Sequence, residues 1–262
     1  MSEDKQTELH YDQVDLPKGP GIYSSSGLYD AMFELGDFYL RQEPYIVLDA
    51  MCGAGLVGKE ISKRVAQKNM PHIMHFCDVT ERKIADLREQ GYDAQVSSVF
   101  DLAYPDRNFD HVYARFGVKN YPAEEQVQIL SNFRRVMKDK GIFILCDMES
   151  PEQAYEFMQA ERREKHKYTR LEGSEPHIPT RQMWFQLLRQ SGLEPQKVSE
   201  TTSYVTTTDW VKSNQMTAED IQKMNAFLLA APESAKSALN IREENGSVKI
   251  DYPVVVISAV PV

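Results

Sequence analysis

The hydrophobic pattern falls into three regimes. Over 27–40, Leu28, Ala31, Met32, Leu35 and Phe38 recur at helical spacing and predict one amphipathic helix ahead of the main fold. The polar residues before it, closing on Pro17 and Pro20, read as a weakly ordered lead-in. From Tyr45 onward, short apolar runs alternate with longer periodic ones. YIVLD (45–49), IMHFCD (73–78), FDHVYARF (109–116) and GIFILCD (141–147) read as strands, with Asp93–Ser97 as a further short one. Between them, LVGKEISKRVA (56–66), a stretch ending at Gly91, and the stripe Val127, Leu130, Phe133, Met137 read as helices. Strands alternating with helices imply βαβ crossovers, and hence a parallel sheet covered on both faces.

After Asp147 the rhythm breaks. A charged helix over about 152–167 leads into a loop, LEGSEPHIP (171–179). Met183, Trp184, Leu187 and Leu188 give a helix stripe stopped by Gly192, and Lys197–Thr208 reads as a Val/Thr-rich strand. Thr217 with Asp220 has the spacing of a capping box opening a helix, and YPVVVISAV closes the chain as a strand. The organisation is a lead-in and cap over 1–44, then a domain over 45–262 with cap insertions at about 148–180 and 207–245.

Composition narrows the class. Of 262 residues, 30 are Lys or Arg and 39 are Asp or Glu, a net charge of −9 that disfavours a phosphate-rich nucleic-acid substrate. No apolar run approaches the ~18 residues of a membrane span. The polar start, MSEDKQTELHYDQ, lacks the apolar core of a signal peptide, so a cytoplasmic location is expected. Cys52, Cys77 and Cys146 are odd in number and scattered, as reduced thiols would be. His72, His75 and His111 lack ligand spacing, and no metal site is expected.

The sharpest chemistry lies in DAMCGAGLVG (49–58), between a strand and a helix. Gly53, Gly55 and Gly58 spell G-x-G-x-x-G, and Asp78 follows about 20 residues later, the literal fingerprint of a dinucleotide site. Two details pull away from NAD. Asp49 ends the strand, with three residues between it and the first glycine, where a carboxylate suits a cation better than pyrophosphate. The chain also ends on a strand with no helix after it.

VLDAMCGAG, FCDVTERKIADL, DLAYPDRNFDHVYARFGVKNYP and FRRVMKDKGIFILCD, taken in order over 45–147, resemble a class I S-adenosylmethionine-dependent methyltransferase of the branch that includes quinone-biosynthesis enzymes. The resemblance implies a Rossmann-like, doubly wound α/β fold: a mostly parallel seven-stranded sheet with an antiparallel C-terminal strand and helical cap insertions. It implies S-adenosylmethionine as cofactor, with Asp49 on the ammonium, Gly53 and Gly55 giving close backbone approach, and Asp78 on the ribose hydroxyls. Ser98 stands where an acid usually meets the adenine amino group, with Val99 and Phe100 flanking the ring. Arg115 and Phe116 line the floor between cofactor and acceptor. Met51 replaces the first glycine of the usual loop, which is harmless if its φ is negative.

The expected reaction is in-line methyl transfer to a small metabolite, such as an aromatic or natural-product intermediate, by a monomer or homodimer with no nucleic-acid or membrane partner. A base is needed only for a neutral acceptor. His177, in a Pro-flanked loop, and Asp147, ending the fifth strand, are the candidates, ahead of His166 and Glu149. Tyr23 and Trp184 are candidate acceptor contacts. The run ERREKHK (161–167) reads first as a solvated helix face, with attraction of an anionic acceptor as its alternative. Other readings are a non-methylating enzyme on the same scaffold, such as a cyclase, a non-catalytic subunit, or an NAD-dependent oxidoreductase.

Overall fold

A computed structural model describes residues 26–168, 176–209 and 216–262. The strands are β1 (Tyr45–Ala50), β2 (His72–Asp78), β3 (Asp93–Val96), β4 (Phe109–Arg115), β5 (Met137–Met148), β6 (Leu193–Thr206), β7 (Arg242–Glu244) and β8 (Ser247–Pro261). The helices are α1 (Ser26–Leu35), α2 (Leu56–Gln67), α3 (Glu81–Glu89), α4 (Ala123–Val136), α5 (Tyr155–His166), α6 (Arg181–Gln190), α7 (Ala218–Leu229) and α8 (Glu233–Ala238), with a 3₁₀ turn at Val118–Asn120. One sheet runs β3-β2-β1-β4-β5-β8-β6, with β7 paired to β8. Strands β1 to β5 are parallel, whereas β8 is antiparallel to both β5 and β6. The chain order reverses between β1 and β4, the switch point at which open α/β sheets bind ligands.

The central strands are buried on both faces, which is why they read as unbroken apolar runs. One face packs Leu28 and Met32 of α1, Ile61 and Val65 of α2, Met158 of α5 and Met224 of α7 into a single core. The other packs Ile129 and Phe133 of α4 with Trp184 and Leu188 of α6. Thr217 and Asp220 form the expected capping box, and Gly192 closes α6 in the left-handed region.

Three boundaries differ from the periodicity. Helix α1 stops at Leu35, and the chain turns to positive φ at Asp37; a Cβ at Gly36 would lie 2.5 Å from the Tyr113 hydroxyl, and Phe38, beyond the helix, stacks on His111 at 4.2 Å. Strand β8 starts at Ser247, well before the final apolar run, and pairs along the whole of β6. The region over 207–245, expected only as a helical insertion, contains β7, an eighth strand. Asn245 and Gly246, both at positive φ, turn it back onto β8.

Candidate functional site

Parallel register lines up the strand ends. Ala50 is level with Cys77 and Ala114, and Arg115 with Cys146, so Asp49, Asp78, Arg115 and Asp147 share one edge of the sheet. Asp49 is fully buried and accepts the Gly58 amide at 2.7 Å. Burial pushes its carboxyl up to about 7, against the pull of that amide and of Arg115. This bond settles the meaning of the third glycine. An NH of the first turn of α2, which a dinucleotide site would aim at pyrophosphate, is committed to Asp49 instead. Gly58 is there for close packing, since a Cβ would fall 2.4 Å from the Phe76 ring.

Asp78 accepts the Gly53 amide at 2.8 Å through one oxygen and the Thr80 amide at 2.9 Å through the other. Each oxygen keeps a lone pair for a ligand hydroxyl. Gly53 has φ +51° and open space where a side chain would stand, a cradle that lets a ligand reach the backbone. A buried carboxylate for a cation, a second carboxylate for a diol and an open glycine between them fit S-adenosylmethionine.

Met51 takes φ +55°, so the condition under which it would be harmless is not met; its sulfur fills the space over Gly117, where a Cβ would come within 2.4 Å. Phe116, at the end of β4, has φ +55° as well. Two strained non-glycine residues on adjacent strand ends, at about 1–3 kcal/mol each, mark this edge as a working surface. Ser98 is half-buried, and its hydroxyl accepts the Phe100 amide at 3.2 Å. Val99 is buried, and the Phe100 ring meets Tyr121 edge-on at 5.4 Å.

The acceptor side departs further from expectation. Arg115 donates to the Tyr29 hydroxyl at 3.2 Å and lies over the Tyr29 and Phe116 rings. Tyr29 thus comes to the site from α1, which no local motif signals. Asp147 is a fixed carboxylate, buried, accepting the Lys119 and Met148 amides at 3.2 and 2.8 Å and paired with Lys119 Nζ at 3.3 Å. That geometry leaves it poorly disposed as a base. Glu149 is likewise engaged, in a two-pronged pair with Arg181. Trp184 is core, with no exposed surface and its indole NH donating to the Met148 carbonyl at 3.0 Å, so it is not an acceptor contact. Tyr23 lies outside the described residues.

His177 is half-buried. Its Nδ1 donates to Gln126 Oε1 at 3.3 Å, because an amide oxygen only accepts, so its Nε2 receives the Tyr155 hydroxyl at 3.1 Å. Burial holds its pKa below the usual imidazole value. The 161–167 run is not a solvated face: Glu161, Lys165 and His166 are buried on the inner side of α5. Among the described residues, no group of three His, Cys, Asp or Glu side chains could hold a metal, and no helix is long and apolar enough to cross a membrane.

Fold, site and sequence relatives together support a class I S-adenosylmethionine-dependent methyltransferase. A methyltransferase-domain family model matches residues 47–141. The chain's sequence relatives include enzymes of quinone biosynthesis. It is 24% identical over 173 residues to the ubiquinone/menaquinone biosynthesis C-methyltransferase of Rickettsia akari, spanning 56% of this chain and 69% of that protein. Among solved structures, the YcgJ protein of Bacillus subtilis superposes with TM-score 0.75 at 18% identity, over 90% of this chain and 99% of its own. The [4+2]-cyclase SpnF shares the fold at TM-score 0.57 and 15% identity, over 98% and 96%. The enzyme uses S-adenosylmethionine; the dinucleotide reading of the glycine pattern is therefore overturned.

If Asp78 holds the ribose diol, Asp78→Ala should weaken S-adenosylhomocysteine binding by about 1.5–3 kcal/mol in calorimetry, with the circular dichroism of the sheet retained. An unchanged affinity in the folded variant would remove the assignment.

Proposed function

We propose that the enzyme methylates a small metabolite, an aromatic or natural-product intermediate, and that its sheet edge holds the cofactor through Asp49, Gly53, Gly55, Asp78, Ser98, Val99, Phe100 and Arg115. The observation that carries this reading is the enclosure of the acceptor side. Helix α5 lies against the end of β5 through Arg162 and Met148 and against β8 through Glu161 and Tyr252, with a buried inner face, which suits a small molecule better than a polymer. The bound cofactor supplies an activated methyl group on a sulfonium, so the protein's task is alignment, worth about 7–11 kcal/mol in the best cases. Phe116 and Arg115 form the floor against which an acceptor is held. The net charge of −9 opposes nucleic acid, and three unpaired thiols fit a reducing, cytoplasmic setting.

For a neutral acceptor, His177 is the proposed base. Its Nε2 accepts the Tyr155 hydroxyl, so it can draw a proton through that hydroxyl. His177→Asn should lower turnover about 10²- to 10³-fold with cofactor affinity unchanged. Parallel loss of both would assign His177 to holding the cap instead. The function itself is tested with radiolabelled S-adenosylmethionine and a cell extract split into small molecules, RNA and protein. Label should enter the first fraction, and label in RNA or protein would overturn the reading. Cofactor binding without transfer to any fraction would favour a cyclase-type activity.

A further inference from the structure

Helix α1 is tied to β4 at both ends. Just past its last turn, His111 Nε2 donates to the Gly36 carbonyl at 2.7 Å. Near its first turn, the Tyr29 hydroxyl accepts Arg115 Nη1 at 3.2 Å, and the guanidinium lies 5.4 Å over the Tyr29 ring. Leu28 and Met32, buried one turn apart, press the helix into the core beside these ties. Tyr29 therefore meets Arg115 through the docking of a whole helix.

Tyr113 is level with Asp49 on the neighbouring strand, and Arg115 follows it by two positions. Side chains alternate along a strand, so Asp49, Tyr113 and Arg115 share one face of the sheet. Burial raises the Asp49 carboxyl; the Gly58 amide, Arg115 and Lys59 of α2 pull it down, and Asp78 of β2 pushes it up. The other ionisable groups around it are the Tyr29 and Tyr113 hydroxyls and the Cys52 and Cys77 thiols, which burial holds above their ordinary values. Tyr29 is thus a neutral phenol, which can fix a guanidinium without bringing a charge of its own to the carboxylate.

Resting on the assignment of Asp49 to the cofactor's ammonium, we propose that Tyr29 is a positioning residue of the cofactor site: it fixes Arg115 at the end of β4, where the guanidinium keeps Asp49 charged for that ammonium. A guanidinium left to swing on its flexible stem would spend less of its time near Asp49, and the carboxyl would hold its proton to higher pH. Helix α1 is in this way part of the cofactor site and not only a cover for the core.

Calorimetry of S-adenosylhomocysteine binding from pH 5.5 to 9 tests this in Tyr29→Leu, Tyr29→Phe, Arg115→Gln and the double variant Tyr29→Leu/Arg115→Gln. In Tyr29→Leu the acid limb of the affinity profile should move up by about 0.5–1 pH unit, which is about 3- to 10-fold weaker binding at pH 6. At pH 9, where Asp49 is ionised in both proteins, the affinity should match that of the wild type. Tyr29→Phe keeps the packing of α1 and reads the hydroxyl alone, so its limb should move in the same direction by less. Arg115→Gln should move the limb at least as far as Tyr29→Leu, and the double variant no farther than Arg115→Gln, because Tyr29 acts through Arg115. An unmoved limb in both Tyr29 variants, a loss of affinity equal at every pH, or a double variant that adds the two shifts overturns the proposal. Asp49→Asn separates it from the reading beneath it. Wild-type affinity in Asp49→Asn would remove the ammonium assignment and the proposal together, whereas weakened binding there beside an unmoved limb in the Tyr29 variants overturns the proposal alone.

Discussion

Asp49→Asn weakens S-adenosylmethionine binding by about 2–4 kcal/mol, roughly 30- to 1,000-fold, as expected for loss of one partner of a buried charge pair. The same substitution should stabilise the ligand-free protein at pH 8. Asp49 is the reason for both effects: burial lifts its carboxyl to about 7 from an ordinary 3.8. Between those values the folded chain binds a proton that the unfolded chain has lost, so this group subtracts stability as pH rises through the window, by about 4 kcal/mol at most above pH 7. Asparagine keeps an acceptor for the Gly58 amide and removes the titration. In the wild type, a cation at Asp49 favours the ionised form. Affinity should therefore rise up to tenfold per pH unit towards 7, flatten, and fall once the ligand's own α-amino group, at about 7.7–8.0, loses its proton. Calorimetry from pH 5.5 to 9 measures this profile. Asp49→Asn should lack the acid limb, and a variant that keeps it would show that another group gates the cofactor.

Lys119→Met should destabilise the fold by about 3–5 kcal/mol, because it leaves the Asp147 carboxylate buried without its cation. Asp147→Asn should cost less. A lysine already held to about 8 can shed its proton when its partner is lost, and the cost should shrink further as pH rises through that value. The double variant Lys119→Met/Asp147→Asn should recover most of the stability of the first. Urea unfolding at pH 7 and 9 gives all four corners of the cycle. Equal costs for the two single variants at both pH values would mean that the pair contributes through packing and not through charge.

Strands β1 to β5, the glycine loop, Asp49, Asp78 and the capping box at Thr217 were legible along the chain, because each rests on local chemistry: period, turn residues, or a carboxylate at a strand end. The hairpin joining β7 to β8 was legible too, in Asn245-Gly246, and went unread beneath a region taken as insertion. The sign of φ at Met51 is not legible in the sequence; it is +55°, with the Met51 sulfur packed over Gly117.

The acceptor side could not be read in this way. Whether Glu161 and Lys165 face water or the interior depends on what lies beneath α5, and in the sequence a charged run looks the same in both cases. Tyr29 meets Arg115 across 86 positions, Glu161 meets Tyr252 across 91, and Trp184 is core because Met148 lies beside it. The sequence by itself determined the strand ends and glycine loop of the proposed cofactor edge, since each is set by local chemistry. Tertiary structure alone decided the buried charges around α5, since they come from α5, β5, β8 and the turn after β4, and only folding sets them against one another.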